Sequence, residues 1–170
     1  KVDSRNKRGP HGLAMHPTAN WMYVFNRLSN SVTVIDTATS TVETELALAD
    51  PTPTNLKQGR GFLYDAKLSG NGTFSCASCH VSADIDGLAW DLGDPGGDMF
   101  RTTGLGGSRI DLHPMKGPMT TQTLKGLKGT GPFHWRGDKP SISDFNSAFD
   151  TLMGKSTLDS SDMDSLVAFI

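Results

Sequence analysis

The sequence predicts an α+β fold: an N-terminal four-stranded antiparallel β segment, followed by a mostly α, loop-rich domain. Three observations predict it. Residues 11–46 hold four short runs rich in β-branched and aromatic residues, each bounded by turn residues. The stretch Asp50-Pro51-Thr52-Pro53-Thr54 then breaks any regular element. Beyond it, apolar residues return at helical spacing near both ends of the remaining chain, with a Gly- and Asp-rich stretch between. The expected units are residues 1–50 and 51–170.

Composition narrows the function classes. The 170 residues suffice for one ordinary domain or two small ones. With 19 glycines and 9 prolines but 36% hydrophobic residues, the chain is loop-rich rather than disordered. A net charge of −2 gives no basis for binding nucleic acid or an anionic membrane. No apolar run approaches the length of a membrane span. The first residue is Lys1 rather than methionine, so a processed or truncated chain is expected.

The elements follow in order. Residues 1–8 are polar and basic and read as a flexible lead-in. The four strands are expected at residues 11–16, 21–25, 31–35 and 41–46, with turns at 17–20, 26–30 and 37–40. Such a set has the size of one propeller blade. A helix is expected over 56–67, with Phe62, Leu63 and Ala66 on one face and Thr54 or Asn55 as cap. Residues 81–108 read as solvated loop with at most a turn near 88–90, and 120–127 as a short helix ended by Gly129-Thr130-Gly131-Pro132. Ser141 opens another helix with Asp144 at its third position, an apolar face of Ile142, Phe145, Phe149 and Leu152, and Gly154 as its stop. A last helix starts after Asp159, with Met163, Leu166, Val167 and Ile170 on one face. It stops in mid-pattern at Ile170, so a longer polypeptide is expected.

Chemistry centres on Cys76-Ala77-Ser78-Cys79-His80. This is C-x-x-C-H, the attachment signature of a c-type haem. Two thiols at this spacing add across the two vinyl groups of one porphyrin, and the His80 imidazole reaches the iron from the same side. Zinc fits less well, because it needs four ligands and these are the chain's 2 cysteines. A thioredoxin-like dithiol would follow a strand of a βαβ unit, whereas this motif follows a turn at 68–72. Haem is attached in this way outside the bacterial cytoplasm, so a periplasmic or extracellular location is expected. Asp84-Ile85-Asp86-Gly87 lacks the spacing and closing Glu of a calcium loop, and calcium is not expected.

The sixth iron ligand decides between electron transfer and peroxide chemistry. The sequence offers three candidates for it: His113, Met119 and Met115. A thioether gives a higher potential than a second imidazole. Trp90 and Phe100 are expected to wall the haem, with His134 and Trp135 at its edge. Arg60, Arg101, Arg109 and Arg136 are candidate partners of its propionates. His11 and His16 read as surface or hydrogen-bonded side chains.

Two stretches resemble known families. Tyr23-Val24-Phe25-Asn26-Arg27-Leu28-Ser29-Asn30-Ser31-Val32-Thr33-Val34-Ile35-Asp36-Thr37-Ala38-Thr39 resembles the YVTN-type β-propeller repeat, in a single copy. Gly59-Arg60-Gly61-Phe62-Leu63-Tyr64-Asp65-Ala66-Lys67-Leu68-Ser69-Gly70-Asn71-Gly72-Thr73-Phe74-Ser75-Cys76-Ala77-Ser78-Cys79-His80 is similar to the start of the first haem domain of bacterial di-haem cytochrome c peroxidases. That likeness continues at Lys116-Gly117-Pro118-Met119-Thr120-Thr121-Gln122-Thr123-Leu124 and at Phe133-His134-Trp135-Arg136-Gly137-Asp138. It implies a cytochrome c-like domain at 51–170 behind a propeller-like blade at 1–50. It also implies a distal histidine just ahead of a Lys-Gly-Pro, the place of His113.

The peroxidases use a glutamine and a glutamate beyond the tryptophan segment. Here Asn146 stands near the first, and residues 153–165 hold no glutamate, so no catalytic residue is assigned. The reading is a c-type cytochrome with one covalent haem, an electron-transfer module of a larger extracytoplasmic protein. One alternative is the haem domain of a di-haem peroxidase-like oxidoreductase; another is the structural unit of a multi-subunit cytochrome assembly. A redox partner protein or a second haem domain is the expected partner, with a homo-oligomer open as well.

Overall fold

The computed structural model describes residues 8–170. The expected lead-in lies outside them apart from Arg8. Four strands come first: β1 (Pro10–Met15), β2 (Trp21–Asn26), β3 (Ser31–Asp36) and β4 (Thr41–Ala47). They form one antiparallel sheet in the order β1-β2-β3-β4, within a residue or so of the expected bounds. Side chains write the turns. The His16 ring Nδ1 accepts from the backbone N–H of Thr18 and Ala19 (3.2 and 2.9 Å), and Asp36 Oδ1 accepts from Ala38 N–H at 2.7 Å. Asn30 and Ser40 take the positive φ that the next two hairpins require. Inside the sheet, the Asn26 amide donates to the hydroxyls of Ser31 (3.1 Å) and Thr33 (2.7 Å), all three buried.

The core of the second half is α1 (Thr54–Tyr64) crossed by α4 (Ser160–Phe169), with Phe62, Leu63, Leu68, Phe149, Met153, Met163 and Leu166 buried together. Gly59 sets the crossing. A Cβ there would collide with the Ser165 carbonyl and with Phe169 Cβ, so only glycine lets the two backbones approach this closely. The sheet meets this core through Arg27, whose guanidinium lies 4.0 Å from the Tyr64 ring centroid and donates to its hydroxyl at 2.8 Å.

Several expectations are corrected. Pro53, not Thr54 or Asn55, precedes α1, and no side chain caps it. Proline's fixed φ and missing N–H suit a helix start without a cap. Residues 88–90 hold a strand, β5 (Ala89–Trp90), and the loop beyond continues into a hairpin of β6 (Phe100–Thr103) and β7 (Arg109–Leu112). The helix expected over 120–127 is absent. That segment is extended, beginning as β8 (Met119–Thr120), antiparallel to β5. Three threonines lower its helix propensity, and its backbone groups serve other partners. Ser141 and Asp144 do make a capping box, but the first turn is a 3-10 helix (Ile142–Ser147) before α3 (Ala148–Thr151). There Met153 is buried and Leu152 is 52% exposed, because the turn's tighter pitch rotates the face. Gly154 ends α3 at φ +67°: its N–H reaches the Asp150 carbonyl, and Lys155 N–H reaches the Phe149 carbonyl. On α4, Ser165 takes the inward position expected of Val167, since the facing residue is the small Gly59.

Candidate haem site

A one-turn helix, α2 (Cys76–Cys79), carries both thiols. Ser75 caps it and Ser78 returns the bond, with Ser75 N–H donating to Ser78 Oγ at 3.0 Å. Residues three apart on a helix share a face, so both thiols project to one side. Cys76 packs on the core, 3.8 Å from Met153 Sδ, and burial pushes its thiol up to about 11. Cys79 is raised too, by burial first and then by the charge of Asp86. Both cysteines are free.

His80 ends this helix with its backbone N–H on the Cys76 carbonyl at 2.9 Å. Its ring Nδ1 lies 2.8 Å from the backbone carbonyl oxygen of Gln122. That contact makes Nδ1 the donor and leaves Nε2 with a free lone pair. Burial lowers the affinity of the ring for a second proton. Two free thiols one turn apart, followed by an imidazole with a carbonyl behind it, are the donor set that haem c requires. Iron held there supplies one-electron chemistry; the chain's own groups fix the imidazole and its tautomer.

The Gln122 carbonyl is held in place by short ladders on both sides. Met119 pairs with Trp90, Thr121 N–H donates to the Leu88 carbonyl at 3.3 Å, and Leu124 N–H to the Ala83 carbonyl at 3.0 Å. The Trp135 indole donates to the Thr120 carbonyl at 2.9 Å. Trp90, Met119 and Trp135 thus meet on β8, whereas Phe100 lies on the separate β6–β7 hairpin. Trp90 and Trp135 are 41% and 59% exposed.

The other expected residues fall as follows. His113 Nδ1 accepts from Met115 N–H at 3.0 Å, which places the proton of the neutral ring on Nε2. Met115 backs onto Gly93 and is half-buried. His134 bonds Asp138 at 3.0 Å and stands edge-on to Phe145, with centroids 4.6 Å apart. Arg60 pairs with Asp50 at 3.3 Å, and Arg101 and Arg109 both face Asp111. Asn146 clamps Leu158 by two bonds of 2.8 Å, accepting its N–H and donating to its carbonyl. Sequence reasoning missed Gln122, whose contribution is a backbone carbonyl. It also missed Asp86, which accepts from Leu88 N–H at 2.9 Å and from the Trp90 indole at 2.8 Å. The spacing Asp86-x-x-x-Trp90 was its one signal.

None of the curated proteins matches the chain. Among solved structures, hydrazine synthase of Kuenenia stuttgartiensis, pressurized with 20 bar xenon, is similar at 21% identity and a TM-score of 0.47. The likeness covers 71% of this chain and 37% of that one. The model of the di-haem cytochrome c peroxidases matches residues 53–148, more than half of the chain, including Cys76, Cys79, His80 and Gln122. The chain belongs to the di-haem cytochrome c peroxidase family, whose members carry c-type haem.

Proposed function

We propose that this chain is a one-haem electron-transfer module within a larger extracytoplasmic protein. Cys76 and Cys79 bind the porphyrin, and His80 binds the iron through Nε2. The observation that carries the reading is the His80–Gln122 contact at 2.8 Å, which orients the ring for an axial ligand with no metal needed to hold it. Trp90 and Trp135, exposed beside β8, are the proposed walls of the haem. Residues 51–170 form the haem domain, and the sheet within 1–50 is a propeller-like blade. The exposed Leu13, Met15, Val42 and Leu46 support further protein covering that sheet.

For the sixth ligand we place Met119 first, then His113 and Met115. Met119 is fixed by its pairing with Trp90, whereas His113 would have to give up the Met115 contact or change tautomer. Electron transfer is favoured over peroxide turnover because Asn146, near the position of the peroxidases' glutamine, is spent on Leu158. A second haem domain or a redox protein is the proposed partner.

Spectroscopy of the ferric and ferrous haem-loaded chain tests this. A low-spin, six-coordinate spectrum in both states is expected, with a near-infrared sulfur-to-iron charge-transfer band if Met119 ligates. A high-spin spectrum with robust peroxide turnover would move the peroxidase-like reading to first place.

A further inference from the structure

Asp86 was legible only as one carboxylate in an acidic loop, and the structure gives it a specific position. Its Oδ1 accepts from Leu88 N–H at 2.9 Å and its Oδ2 from the Trp90 indole at 2.8 Å. Both donor residues also meet the facing segment: the Leu88 carbonyl accepts from Thr121 N–H at 3.3 Å, and Trp90 pairs with Met119. The residue after Thr121 is Gln122, whose carbonyl oxygen holds His80 Nδ1 at 2.8 Å. One carboxylate therefore orders the segment after His80 against which the returning strand pairs.

The charge has consequences of its own. Asp86 is half-buried, and its carboxyl is held below the usual value by the Leu88 N–H first, so it is ionised at neutral pH. Its charge is felt at both Cys79 and His80. A negative charge near an iron centre favours the ferric over the ferrous state. A firm acceptor behind the imidazole makes it a more basic ligand and acts in the same direction.

We propose that Asp86 is a positioning residue for the haem iron: it fixes Leu88 and Trp90, on which the strand bearing Gln122 pairs, so keeps the Gln122 carbonyl on His80, and with its charge lowers the reduction potential. This inference rests on the haem reading above. The test is a poised redox titration of the haem-loaded full chain and its D86N, D86S and D86E variants, with covalent haem quantified in each. In D86N the ferrous-to-ferric ratio at fixed potential should rise about three- to tenfold, a tenfold change being 59 mV for one electron. D86S supplies a second neutral side chain should D86N fold poorly, and the same rise is expected. D86E keeps the charge and should return the ratio toward the parent value. Neutral variants that carry haem yet stay within about twofold of the parent overturn the inference and leave the haem reading intact. A parent chain that carries no covalent haem overturns both.

Discussion

His80 Nδ1 and the Gln122 carbonyl oxygen meet at 2.8 Å across 42 residues of chain. A helix cap places the first and a β ladder places the second, so the imidazole is oriented from two independent elements. If this geometry serves iron, H80A should keep the thioether linkages at Cys76 and Cys79 and lose axial ligation. The expected result is a high-spin spectrum that added imidazole returns toward low spin. A spectrum unchanged from the parent would remove His80 from the iron.

The α1–α4 crossing is set by a single hydrogen atom. G59A places a methyl group against the Ser165 carbonyl, and backbone cannot yield as a side-chain tip can. The loss should be about 1–3 kcal/mol or more, read by urea unfolding with an unchanged slope. A parent-like midpoint would mean that the helices stand farther apart than described.

The two thiols of the haem-free chain should differ in reactivity. Cys76 is pushed up to about 11 by burial, so it stays protonated through pH 9. Cys79 is raised as well, but unlike Cys76 it does not pack against the core. Iodoacetamide at pH 8–9 should label Cys79 several-fold faster, with Cys76 catching up only as the pH approaches 11 or as the chain unfolds. Peptide mass mapping over time checks the order, and equal rates would contradict it.

Acid should loosen the cap of the segment entering α3. Asp144 is held below its usual value by the Ser141 hydroxyl and backbone N–H, both at 2.8 Å. A carboxyl depressed on folding contributes stability that is present above its unfolded pKa of about 3.9 and is lost as pH falls through the lower folded value. Asp84 and Asp86 have the same sign. The melting temperature should hold from pH 7 to 5 and fall below about pH 4, and D144N should reduce part of that fall. A D144N curve parallel to the parent would mean that the cap contributes nothing.

What could be read from the sequence was what depends on local pattern. The four strands are bounded by turn chemistry within a few residues, and the C-x-x-C-H spacing is itself a covalent requirement. What could not be read depends on contacts distant in sequence. Residues 120–127 look helical in isolation, but Ala83, Leu88 and His80 take their backbone groups and pull them straight. Gln122 acts through an atom every residue possesses, so no side-chain pattern marks it. Ser165 displaces Val167 from the core because Gly59 faces it from another helix, a fact outside any window on α4.

The most direct measurement is the intact mass of the chain produced with c-type haem maturation, read before and after acid–acetone extraction. A mass raised by one haem, retained through extraction and lost stepwise in C76S and in C76S/C79S, is the predicted result. An unmodified mass, or a haem that extraction removes, would contradict the account at its centre.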